Sequence, residues 1–179
     1  MDCKTTMKSI SLRRTCVGTI LCAAATLLVP LATQAQPDRT AKPLLTISGK
    51  IGAPNRDSRA VFDLARLEAL PQKTFTTQTP WYEKPVQFSG PLLRDVLAAV
   101  QARGSQLKAI ALNDYKITIP VADSQKFDMM VALRMNGEPM SMRDKGPLFV
   151  VYPFDSAPEL HSNTYYSRSI WQLKAIEVE

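Results

Sequence analysis

The chain has 179 residues, 45% hydrophobic and 21% charged, with a formal charge of +6 and a pI near 9.3. That fits one ordinary globular domain with enough apolar material for a buried core. A single histidine, His161, excludes a multi-histidine metal site built from this chain alone.

Residues 1–35 read as a secretory signal peptide. Lys4, Lys8, Arg13 and Arg14 precede an apolar run from Val17 to Leu31, and Thr33-Gln34-Ala35 places a cleavage site after Ala35. Thr19, Thr26 and Pro30 interrupt that run, which is short for a retained membrane anchor. Met7 is an alternative start. Arg13-Arg14 is followed by Thr15-Cys16-Val17, a poor twin-arginine context, and Leu21 is too large to precede a lipoprotein Cys22; general and twin-arginine export both stay open. The expected destination is the periplasm or the exterior. Cys3, Cys16 and Cys22 all lie in this leader, so the processed chain has no thiol for a disulfide, a metal or a nucleophile. The leader also holds four of the 22 basic residues and one of the 16 acidic ones, which leaves +3 on the remainder and removes the main support for a nucleic-acid partner.

Residues 36–42 lack apolar periodicity and read as a flexible start to a single domain over 43–179. The β-rich run Leu44–Ile51 predicts a first strand, and Val61–Leu70 a short helix with Leu64, Leu67 and Leu70 on one face, stopped by Pro71. Thr74–Thr79 and Val86–Phe88 predict two more strands. From Pro91, expected in the first turn, Leu92, Leu93, Val96, Leu97 and Val100 recur at helical spacing up to Gly104. Leu107–Leu112 and Tyr115–Val121 read as a hairpin around Asn113-Asp114, and Asp123–Lys126 as a capped helical turn. Met129–Met135 predicts one buried strand, Asn136-Gly137 a tight turn, and Leu148–Pro153 a central strand. Residues 154–168 are expected to be irregular, and Ile170–Val178 a closing strand whose alternation leaves neither side purely apolar. Many short strands with two or three helices predict a mixed α+β fold with a curled sheet.

Self-sufficient chemical motifs are absent: there is no glycine-rich phosphate loop and no Gly-x-Ser-x-Gly elbow. His161 reads as an exposed loop residue. Asp63, Glu68, Asp95, Asp114, Asp123 and Asp128 show no spacing that nominates a carboxylate pair, and read as solvated charges, turn formers or helix starts. Trp81 and Trp171 read as core anchors, Tyr82, Tyr115, Tyr165 and Tyr166 as candidate pocket walls, and Arg143, Lys145 and Arg168 as a candidate basic rim.

An ordered series of short signatures remains. Phe88-Ser89-Gly90-Pro91-Leu92-Leu93-Arg94-Asp95-Val96-Leu97, Asn113-Asp114-Tyr115, Met135-Asn136-Gly137-Glu138-Pro139-Met140, Lys145-Gly146-Pro147 with the run to Pro153, and Trp171 follow one another from about Leu44 to Glu179. In this order they resemble the molybdopterin-binding domain of the sulfite oxidase family. The resemblance implies that fold, and a molybdenum atom held by a cysteine four residues before a tryptophan. Counting back from Trp81, that position is Thr77, and a hydroxyl does not replace a soft thiolate on such a metal. Other positions depart as well: Asn113-Asp114-Tyr115 stands for Asp-Gly-Tyr, Phe149 for an arginine, and Ile170-Trp171 for Lys-Trp, so two basic groups are missing.

The resemblance nominates Thr77, Gln78, Trp81, Tyr82, Asn113, Asp114, Tyr115 and Lys145 as a cofactor-binding pocket, with no catalytic residue and no metal ligand. It implies an exported, non-catalytic ligand-binding, sensory or accessory domain, taking a small anionic ligand or a pterin and partnered with a membrane signalling protein or a redox enzyme. The alternative is a molybdenum-cofactor oxidoreductase whose pterin is held without protein sulfur on the metal. A third reading is a structural partner in a larger complex.

Overall fold

A computed structural model describes residues 42–179; the leader over 1–35, and all but the last residue of the flexible start over 36–42, lie outside the described residues. Strand β1 (Leu45–Gly49) alternates, with Leu45 and Ile47 buried and Thr46 turned to the other face. It pairs antiparallel with β2 (Ala60–Phe62) and parallel with β11 (Leu173–Val178). Strand β11 pairs antiparallel with β5 (Gln106–Ala111), which forms a hairpin with β6 (Lys116–Pro120), giving the order β2-β1-β11-β5-β6.

A second sheet has the order β3 (Gln72–Thr77), β4 (Val86–Pro91), β8 (Arg134–Met135), β9 (Glu138–Pro139). Strands β7 (Met130–Ala132) and β10 (Phe149–Val151) form a two-stranded ribbon in which every residue is buried, as their continuous apolar sequence requires. Strand β4 lies so close to β7 that a Cβ on Gly90 would sit 2.2 Å from the Val131 carbonyl oxygen. Only glycine fits there. Helices α1 (Leu64–Glu68), α2 (Leu93–Ala99), α3 (Val121–Lys126) and α4 (Asn163–Arg168) complete the α+β fold expected from the sequence, with the strands divided over three sheets.

Several local expectations are corrected. The helix expected over 61–70 starts later, because β-branched Val61 and aromatic Phe62 belong to β2, and the Asp63 carboxylate caps α1 by accepting the Arg66 N–H at 2.8 Å. Leu67 is buried there, whereas Leu64 is 45% exposed. Pro91 ends β4 instead of opening α2, and its missing N–H is tolerated because β8 pairs only with Phe88 and Ser89. The strand expected over 129–135 breaks at Leu133 into β7 and β8, which join different sheets. Asn136 and Gly137 form the expected turn, both with positive φ, 52° and 86°, as a two-residue hairpin loop needs.

Residues 154–168 are not irregular throughout: Phe154–Ser156 and Pro158–Leu160 form single 3-10 turns, and Asn163–Arg168 is helical. The closing strand begins at Leu173, after Gln172 at φ 51°. A bulge between Leu173 and Ala175 shifts the alternation so that Leu173, Ile176 and Val178 are all buried. That bulge is why simple period-2 counting finds no apolar side.

Asp123 lies in the first turn of α3, within the helical turn expected there, but is 8% exposed and sits at the centre of a buried polar cluster. Its Oδ2 accepts the fully buried Tyr152 hydroxyl at 2.8 Å and an Arg168 N–H at 2.8 Å. The Arg168 guanidinium also lies 5.4 Å from the Tyr165 ring centre. Burial, then the bond to Asp123, raises the Tyr152 pKa far above its ordinary value, so this hydroxyl stays protonated. Arg168 is therefore committed to holding α4 against α3, and does not belong to the expected basic rim.

Candidate functional site

The site grows from the loop between β3 and β4. The Gln78 amide donates to the carbonyls of Thr79 (3.3 Å) and Tyr82 (2.9 Å), closing a turn that directs Trp81 inward. Trp81 then meets four rings edge-on, at centre distances of 5.6 Å (Trp171), 5.7 Å (Phe149), 6.0 Å (Phe154) and 6.1 Å (Tyr166). Such edge-to-face pairs contribute about 0.5–1.5 kcal/mol each beyond area burial, so the indole is firmly oriented.

Beside it lies a cavity of about 460 Å³, walled by Trp81, Tyr115, Tyr166 and Trp171, with Asn113, Asn163, Gln172, Ser167 and Ser169 supplying polar groups. Tyr115 and Trp171 are 48% and 41% exposed, unusual values for large rings. No lining side chain carries a formal charge. Planar apolar walls with a few neutral donors and acceptors suit a flat ligand, and the size lies within the ordinary range of small-molecule sites.

Of the eight residues nominated from sequence, Trp81, Asn113 and Tyr115 line this cavity. Asn113 shapes it too, its Oδ1 accepting the Tyr115 N–H at 3.1 Å. Lys145 and Tyr82 are not among the lining residues; the Lys145 ammonium lies 4.4 Å from both the Tyr82 and Trp171 ring centres, and so borders the cavity through Trp171. Burial lowers the Lys145 pKa, opposed by Asp144, and raises that of Tyr82, reinforced by Asp144. Asp114 is turned elsewhere: at φ 65° it pairs with Lys174 at 2.6 Å, and this bond holds its carboxyl below the usual range. Arg143 is exposed and lines none of these walls, so Lys145 alone remains of the expected basic rim.

Thr77 and Gln78 are bound into the scaffold. Thr77 is 1% exposed, and its hydroxyl oxygen accepts the Asp155 N–H at 3.1 Å, while the Asp155 carboxylate accepts the Gln78 N–H at 2.7 Å. This reciprocal clip fastens the end of β3 to the 3-10 turn at Phe154–Ser156. Asp155 carries no sequence signal for the role, since it lies 78 residues from Thr77 in an irregular stretch. Asn163, Gln172 and the helical placement of Tyr166 are likewise invisible without the fold. In the same loop the Thr79 hydroxyl and the Tyr82 hydroxyl are buried without a hydrogen-bond partner among the described residues.

The sequence model of the family described as oxidoreductase molybdopterin binding domain matches residues 45–157. The chain belongs to that family. No curated protein matches it. The matched span contains the Thr77 clip and Lys145, whereas α4 and β11, with Tyr166 and Trp171, follow it.

Members of this family bind molybdopterin, and the residues present answer only part of that group. The aromatic walls suit a flat ring system. The residue at the metal-ligand position does not fit the metal: Thr77 supplies a hydroxyl already engaged by Asp155, where a thiolate is needed.

Proposed function

We propose that this protein is an exported, non-catalytic member of the molybdopterin-binding family that works as a ligand-binding module, sensory or accessory to a membrane signalling protein or a redox enzyme. The single observation that carries the reading is the Thr77–Asp155 clip. The residue that stands where the family's metal-binding sulfur is expected is 1% exposed and holds a backbone N–H of its own chain. Function follows the site rather than the fold. With metal ligation replaced by a structural bond, what persists is a flat-walled cavity bordered by Lys145.

The leader over residues 1–35 supports the periplasm or the exterior as the working compartment. Lys145 beside the cavity supports a ligand with an anionic group, a small anion or a pterin that carries one.

Native mass spectrometry of the protein recovered from its own compartment tests this reading. It predicts a bound organic molecule without molybdenum, lost on Trp81→Ala. Recovery of the protein solely in the cytoplasm, or a bound molybdenum centre turning over substrate, contradicts it.

A further inference from the structure

A second concavity, of about 520 Å³, lies over the outer face of the five-stranded sheet, across the Thr46–Ala175 pair of β1 and β11. Its chemistry differs from that of the aromatic cavity. The walls are aliphatic and thioether side chains with no aromatic ring: Leu112 and Met142 stand 42% and 62% exposed at its sides, above buried Met140 and Leu173. Unbranched, polarizable methionines adapt to flexible alkyl chains.

Three cations border this apolar floor. Lys174 is answered by Asp114 at 2.6 Å, whereas Lys42 and Arg59 have no carboxylate within ion-pair distance among the described residues. An apolar trough bordered by positive charge that no described carboxylate answers is complementary to a molecule with an alkyl body and an anionic head. A peptide strand is a poor occupant. Both β1 and β11 are paired on each side, so the floor offers no free strand edge for backbone pairing.

We propose that this groove binds a single-chain fatty acid anion, the alkyl chain lying along Met140, Met142 and Leu112 and the carboxylate held by Lys42 and Arg59. The site is separate from the aromatic cavity and does not depend on what that cavity binds.

The test is a titration of the purified protein, carrying 13C-methyl methionine, with decanoate, read by NMR and by calorimetry. Saturable binding is expected, with the Met140 and Met142 methyl signals shifting. Decyltrimethylammonium, with the same chain and opposite head, should not displace decanoate. The double substitution Lys42→Glu, Arg59→Glu should weaken decanoate by at least about tenfold, the scale of one lost charge-assisted contact, with melting unchanged. Equal binding of the cationic amphiphile, unmoved Met140 and Met142 signals, or binding only to anionic vesicles and not to monomeric decanoate would overturn the proposal.

Discussion

Two buried polar regions of this molecule answer opposite demands. Around Asp123 the buried polar atoms are engaged: the Tyr152 hydroxyl and an Arg168 N–H both donate to Oδ2, and that cluster ties α4 to α3. Around the loop at 78–82 the Thr79 and Tyr82 hydroxyls are buried and unmet among the described residues, and Trp81 of the same loop walls a cavity with exposed rings. A satisfied network rigidifies a fold, while unmet groups beside a cavity are where a ligand gains most. Thr77 belongs to the first kind although its sequence position suggests the second.

The largest effect is expected at Arg168. Arg168→Met leaves Asp123 with a buried charge and one donor, and should cost about 3 kcal/mol in urea unfolding, the lower end for a broken buried pair because Arg168 is 23% exposed. Equal stability would show that the cluster is no more than a surface contact.

Alkaline titration sharpens the same side of the comparison. Tyr152 has a folded-state pKa raised far above its ordinary 10.0. Above pH 10 the unfolded chain therefore binds fewer protons than the folded one, and stability falls as pH rises; below the ordinary value its contribution is fully present. Tyr152→Phe should reduce that alkaline slope, measured from unfolding midpoints between neutral pH and pH 11.

Smaller effects separate the hydroxyls of the loop. Thr77→Val removes the acceptor of the Asp155 N–H and should destabilise by about 1–2 kcal/mol. Thr79→Val and Tyr82→Phe remove unmet hydroxyls, and in ligand-free protein should be neutral or stabilising by up to about 1 kcal/mol. If all three cost the same, the distinction between a structural clip and a binding loop fails. Lys145→Met should change stability by no more than about 1 kcal/mol, the scale of an exposed cation–π contact, while altering the fluorescence of Trp171.

Much of the architecture was legible in the sequence because it rests on local signals. The Asn136-Gly137 hairpin, the β5–β6 hairpin and the Leu93, Val96, Leu97 face of α2 follow from turn chemistry and periodicity. Where tertiary pairing decides, the signal was missing. A mostly apolar run breaks at Leu133 between two sheets, the bulge after Leu173 hides an apolar face, and α4 has tyrosines where a helix usually shows aliphatic residues. Trp81, Asn113 and Tyr115 were nominated by resemblance and do share a cavity, but Asp155, Asn163 and Gln172 reach the site only through contacts distant in sequence. Asp114, nominated as a cofactor contact, and Arg168, a candidate for the basic rim, are engaged by Lys174 and Asp123.

The central claim is that the position of the family's metal ligand has become part of the scaffold. The most direct measurement is the molybdenum-to-protein ratio of the unaltered protein produced in a host that makes molybdenum cofactor, with Thr77→Cys measured beside it. Substoichiometric trace metal is expected in the unaltered protein, and no gain in the variant, because the side chain at 77 is buried against Asp155. A stoichiometric content in the unaltered protein would contradict the account.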